Sequence, residues 1–171
     1  MKRVYLERVE SPMGGIWLMG TGRGVCSVRF ERPRHRVLGE VPASPSRKEL
    51  VAGGALLRRA ARQIREYLEN ERRAFTVRLD LSGLPALERS VLAAVRRVPY
   101  GETTTYASIA ERVRDPRGTR RIQSILAANP LPLLIPCHRV VGVRGWGHYV
   151  AGRSLKARLV GMEQGQMTIR L

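Results

Sequence analysis

Short alternating runs dominate the first thirty residues. KRVYLERVE, GGIWLMG and GVCSVRF are β-like, and SPMGG and GTGRG between them carry turn chemistry, so the pattern predicts an antiparallel meander of two hairpins. From Glu31 to Ser46 the prolines Pro33, Pro42 and Pro45 break any period and predict a loop. From Arg47 to Asn70 the period lengthens. Leu50, Leu57, Ile64 and Leu68 fall on one face of a predicted helix that packs on the sheet, and FTVRLDL predicts a further strand.

Beyond SGLP the pattern becomes helical, with Gly and Pro turns. ALERSVLAAVRRV places Leu87, Val91, Val95 and Val98 on one face and ends at PYGE. TTTYASIAERV predicts a short helix with Thr at its start, DPRGT a turn, and TRRIQSILAAN another helix stopped by NPLP. After the Gly-rich stretch at GWGHYVAG a last helix runs from about Arg153 to Met162. Two short helices, a tight turn and an extended apolar strand suggest a helix-turn-helix with a wing-like extension. The expected fold is therefore α+β. Residues 1–82 would form a small N-terminal α/β domain, an antiparallel sheet plus a helix with a structural role. Residues 83–171 would form a mostly helical C-terminal domain with a winged helix-turn-helix, an element suited to DNA binding.

Charge changes the picture. The 171 residues carry a formal net charge of +17, and of the basic residues only Lys2, Lys48 and Lys156 are lysines. The planar Arg fork pairs with phosphate and with guanine edges, so nucleic acid is the expected partner. No long apolar run, signal peptide or basic amphipathic anchor is visible, so the chain is expected to be soluble and cytoplasmic, with no membrane partner. Cys26 and Cys137 are far apart, without CxxC pairs or clustered His, so neither a metal site nor a cofactor is expected. Cys26, within GVCSVRF, reads as a core thiol on a strand.

Candidate chemistry concentrates in LLIPCHRVVG, where Cys137 is followed by His138 and Arg139. A thiolate nucleophile needs a hydrogen-bonded or electropositive setting. In an extended strand His138 would point away from the Cys137 sulfur, acting only through a bridging water, with Glu163 to orient its ring. On residue types alone the block reads first as a buried Cys beside a surface His, with catalysis the lesser alternative.

PCHRVVG, with NPLPLLI before it, GHYVAG and LKARLVGME after it, and VPYGETTTYASIAERV upstream, closely resembles the active-site region of the O6-alkylguanine-DNA alkyltransferases. The resemblance implies that Cys137 accepts the alkyl group, that His138 is its base through water, and that Glu163 completes the relay. It implies that Tyr106 donates to the flipped guanine, that Asn129 ties the recognition helix to the Cys loop, and that Arg120 is a finger filling the vacated stack. Arg121, Thr119, Gln123, Ser124 and Ala127 would share the DNA-facing helix, and Tyr149, Val150, Pro132 and Arg139 would line the substrate pocket. The implied partner is double-stranded DNA containing O6-alkylguanine, met by a monomer, and the thioether product ends activity after one turnover. Gln123 and Ser124 stand where relatives commonly carry Gly, Val150 and Ala151 where Ser and Gly are usual, and Leu87 and Leu92 where aromatics are frequent. Two rivals remain: an alkyltransferase-like lesion binder, a class that lacks the Cys, and a winged-helix regulator, which leaves PCHRV unexplained.

Overall fold

A computed structural model of the chain describes residues 3–31, 50–115 and 118–166. Two compact units divide between Asp80 and Leu81.

In the first unit β1 (Val4–Val9), β2 (Ile16–Gly20) and β3 (Val25–Phe30) form the antiparallel meander, and β4 (Leu50–Ala52) adds parallel to β1, giving the order β3-β2-β1-β4. Helix α1 (Ala55–Leu68) buries Leu57, Ile64 and Leu68, while Val9, Ile16, Leu18 and Val28, which share one face by their register, supply buried residues from the sheet. The predicted helix loses its first turns. Leu50 belongs to β4, because Gly53 and Gly54 interrupt the helical run and Gly54 is already extended as the N-cap, with φ −116 and ψ 167.

FTVRLDL is not a strand. It makes one isolated bridge, Val25 to Leu79, with backbone bonds of 2.9 Å from Val25 N to Arg78 O and 2.8 Å from Asp80 N to Val25 O. Gln63 of α1 holds the start of this segment instead, donating to Thr76 Oγ1 at 2.7 Å and accepting from Thr76 N at 2.9 Å. The expected proline-rich loop lies, past Glu31, outside the described residues.

The second unit is helical. It contains α2 (Ala86–Arg96), β5 (Thr104–Thr105), α3 (Tyr106–Val113), α4 (Gly118–Ala127), β6 (Val140–Val141) and α5 (Arg153–Glu163). Val91, Val95 and Val98 are buried as their spacing predicts, together with Leu92. Thr105 caps α3 by accepting from Ser108 N at 3.1 Å. α4 begins five residues after the end of α3, so α3 and α4 form the helix pair of the helix-turn-helix.

The extended strand expected after α4 is largely a compact turn. Leu131, Leu133, Leu134 and Ile135 are all buried, Leu133 takes a positive φ of 72, and Ile135 N donates to Leu131 O at 2.8 Å. Extended geometry survives only in β6, which pairs parallel with β5, Thr104 opposite Val140. Among the described residues no helix is long and apolar enough to cross a membrane.

Candidate active site

The turn between α4 and β6 exists because of Asn129. This side chain is fully buried, and its Oδ1 accepts from Leu131 N at 3.0 Å while Nδ2 donates to Ile135 O at 3.1 Å. Three of the amide's bonding positions are thereby used across the apolar turn, since the same Nδ2 reaches Cys137 Sγ at 3.1 Å. Buried polar groups hold structure only when satisfied, and this one fixes both the turn and the sulfur.

Cys137 is 3% exposed and opens a single 3-10 turn, Cys137–Arg139, rather than continuing a strand. Burial pushes its thiol up to about 11, against the opposing pull of the Asn129 hydrogen bond and the Lys156 charge. At neutral pH the sulfur therefore keeps its proton, and attack by it requires a base.

A neutral imidazole and a paired carboxylate are close at hand. His138 is wholly buried and its Nε2 lies 2.8 Å from Glu163 Oε1, the last residue of α5. Burial lowers the His138 pKa, partly offset by Glu163, so the imidazole is neutral near pH 7. Burial by itself would raise Glu163, but hydrogen bonds from His138 and Arg139 bring it down to about 2. Glu163 also accepts from Gly101 N at 3.1 Å, fastening α5 to the Gly101 turn.

Arg139 departs from its expected place in the substrate pocket. Its Nε and Nη2 both lie 2.9 Å from a Glu163 oxygen, its Nη1 donates to Val98 O at 2.7 Å, and its fork lies over Tyr100 at 5.6 Å. The 3-10 turn causes this, because it swings Arg139 toward α5 and α2. A buried guanidinium requires a carboxylate, and Glu163 serves it and His138 together.

Also near enough to feel the sulfur's charge are Tyr106, Tyr149 and a residue that sequence reasoning passed over, Lys156. Tyr106 begins α3, and its hydroxyl donates to His148 O at 3.4 Å. Burial first, and then the neighbouring Cys137, raise its pKa. Tyr149 stands edge-on to His138, ring centroids 6.2 Å apart. Lys156 of α5 is fully buried. Its ammonium donates to Val140 O at 2.5 Å, His148 O at 3.2 Å and Tyr106 Oη at 3.4 Å. Burial lowers its pKa to about 8, although Cys137 opposes the shift. Its only sequence signal is a position seven before Glu163, two helical turns along the same face of α5.

The loop from 142 to 152 closes over this group. Gly147 has φ 68, and a Cβ there would sit 2.5 Å from Tyr106 Oη, so the backbone can lie against the phenol only as glycine. Pro132 is buried in the turn before Cys137, and Val150 is half-buried beside Tyr149. On α4, Thr119, Arg120, Ser124 and Ala127 are exposed, whereas Gln123 and Arg121 are half-buried. Arg121 lies 3.9 Å from buried Asp115, and Ser124 Oγ bonds back to Arg120 O at 3.2 Å.

Comparison with known proteins gives this arrangement a family. Residues 86–165 match the model of the 6-O-methylguanine DNA methyltransferase DNA-binding domain, and residues 4–81 match the ribonuclease-like domain of the same proteins. The chain belongs to the 6-O-methylguanine DNA methyltransferase family. A methylated-DNA–protein-cysteine methyltransferase of Methanosarcina acetivorans is 34% identical over 161 residues, 94% of this chain and 98% of that protein. The namesake from Mycobacterium tuberculosis is 29% identical over 164 residues, 95% and 94% of the two chains. Among solved structures of the family, OGT of M. tuberculosis in complex with DNA superposes with a TM-score of 0.78 at 28% identity, covering 95% of this chain and 94% of that one.

Proposed function

We propose that this member of the family repairs alkylated duplex DNA by moving the alkyl group from guanine O6 to Cys137 Sγ, once per molecule. The observation that carries the reading is a buried thiol with an amide donor 3.1 Å from its sulfur, followed directly in the chain by a buried His138 that is itself paired with Glu163 at 2.8 Å.

Glu163 holds the His138 tautomer whose Nε2–H donates to it, so Nδ1 carries the lone pair that takes the thiol proton through a water. The sulfur attacks the alkyl carbon, a C–S bond forms, and the C–O6 bond breaks with its electrons going to guanine. Tyr106 donates a hydrogen bond to the departing base, and the Lys156 ammonium, 3.4 Å from that hydroxyl, stabilises negative charge developing there. The thioether has no hydrolysable leaving group, so the sulfur does not recover.

The alkyl carbon is inside the base stack, so the nucleotide must be extruded. Exposed Arg120 on α4 fills the gap, and Thr119, Arg121, Gln123, Ser124 and Ala127 share the helix that meets DNA. Tyr149, Val150 and Pro132 line the pocket for the extruded base. The protein acts inside the cell as a monomer on DNA containing O6-alkylguanine. Neither rival reading explains a buried acceptor thiol with its own base.

Intact-mass analysis after incubation with a duplex holding one methylated guanine tests the reading. One methyl per chain is expected, on the peptide containing Cys137, and none on a Cys137→Ser variant that still binds DNA. Label on Cys26, or turnover beyond one equivalent, overturns it.

A further inference from the structure

Away from the relay, the ends of α2 and α3 enclose an open cleft of about 640 Å³. Its floor is made of small residues, Ser90, Ala93 and Ala94, and its rim carries Arg97, Arg112 and Arg114, all exposed. Among the described residues no carboxylate lines the cleft and none of these arginines has an ion-pair partner.

Arg114 departs from what local geometry favours. It closes α3 in the left-handed conformation, φ 53 and ψ 43, where glycine carries least strain. An arginine held there keeps a third guanidinium beside Arg97, which closes α2. Basic residues at helix C-termini also answer the helix dipole, and that ordinary role has to be weighed. Two C-termini contribute about half a negative charge each, roughly −1 together, against three guanidiniums, which leaves a local surplus of about +2.

The cleft also lies next to the helix proposed to meet DNA. Arg114 is followed by Asp115, whose carboxylate is 3.9 Å from Arg121 in the first turn of α4. A strand lying along the start of α4 would thus bring its next phosphates toward the ends of α3 and α2.

We infer that the cleft is a phosphate site, in which Arg97, Arg112 and Arg114 hold a phosphodiester of the DNA backbone flanking the extruded nucleotide. The guanidinium fork matches phosphate oxygens in pairs, and the small floor leaves room for the group with its hydration. The inference rests on the reading of the chain as a DNA alkyltransferase and adds to it a second contact, outside the recognition helix.

The test compares two triple variants that remove equal charge. One is Arg97→Ala, Arg112→Ala and Arg114→Gly, with glycine chosen to suit the positive φ. The other is Arg58→Ala, Arg62→Ala and Arg65→Ala, exposed positions on α1. Binding to an unmodified duplex is measured by fluorescence anisotropy across a salt series. Removing one phosphate-binding arginine should lower the slope of log affinity against log salt by about 0.9, so the cleft triple should fall by roughly 2–3 units and the α1 triple by less than about one. Arg97→Ala and Arg112→Ala singly should each fall by about 0.9, which keeps the result readable if the triple folds poorly. Equal slopes for the two triples, with unchanged slopes for the single variants, overturn the inference. Methyl uptake by the unaltered protein, measured alongside, reports separately on the alkyl-transfer reading.

Discussion

Asn129 Nδ2 and Cys137 Sγ lie 3.1 Å apart, and the same nitrogen donates to Ile135 O at 3.1 Å. The residue that shapes the turn is therefore also the one touching the Cys137 sulfur. Any change at the sulfur is transmitted directly to the backbone that positions it.

Alkylation should for this reason destabilise the protein. A methyl on Cys137, which is 3% exposed, overpacks a filled site, typically at a cost of about 1–3 kcal/mol. For a chain of this length each kcal/mol lowers the melting temperature by about 2–4 °C, so a fall of roughly 2–12 °C is expected in DNA-free samples followed by calorimetry. Coincident melting of the two forms would show that the site is roomier than its packing implies.

Glu163→Gln should be strongly destabilising at neutral pH, by about 3–5 kcal/mol in urea titrations, because Arg139 would be left buried without its counter-charge. The pH dependence has a definite sign. The folded-state pKa of about 2 lies below the ordinary 4.5, so the carboxylate's contribution is fully present above about 4.5 and is lost as pH falls toward 2. The gap between the two proteins should narrow across that window. A constant gap from pH 7 downward would mean that Glu163 is not the paired group.

Transfer from the free base O6-methylguanine separates relay chemistry from direct thiolate attack. Direct attack would accelerate with rising pH until the thiol's own ionisation at about 11. Under the relay, neutral His138 sustains a plateau through neutral pH, and the rate then declines as Lys156 loses its proton near 8. Lys156→Met should lower the plateau and abolish that alkaline decline. Rates that climb steadily past pH 9 in the unaltered protein would exclude the relay.

Gly147→Ala should slow transfer on duplex and on free base alike. Its Cβ would fall 2.5 Å from Tyr106 Oη, on a backbone held at φ 68, so either the loop lifts or the phenol moves. A crystal structure of the variant with Tyr106 and His148 unmoved, or unchanged transfer rates, would contradict the close approach.

Much of the fold was legible because it is local. Alternation in KRVYLERVE and GGIWLMG, Thr105 before an apolar-periodic run, and the spacing of Val91 and Val95 all report neighbours within a few residues, where steric and hydrogen-bonding preferences act directly. Leu50 misled for the same reason. Its spacing from Leu57 is helical, but pairing with β1, distant in sequence, decided its state.

That Cys137, His138, Asn129 and Glu163 belong together was legible too, through the resemblance of their segments to a family, and the structure brings them to one place. What the sequence could not show is the direction in which each charge points. Arg139 beside His138 is taken for a pocket residue until the 3-10 turn places it on Glu163, and Lys156 on α5 attracts no notice until three oxygen atoms from Val140, His148 and Tyr106 are found around it. Residue type and spacing determined which groups this protein could bring to one thiol. Only the packing of α5 against the Cys turn decided which of them are buried and paired, because a buried charge is stabilised by acceptors that arrive from segments far apart in the chain.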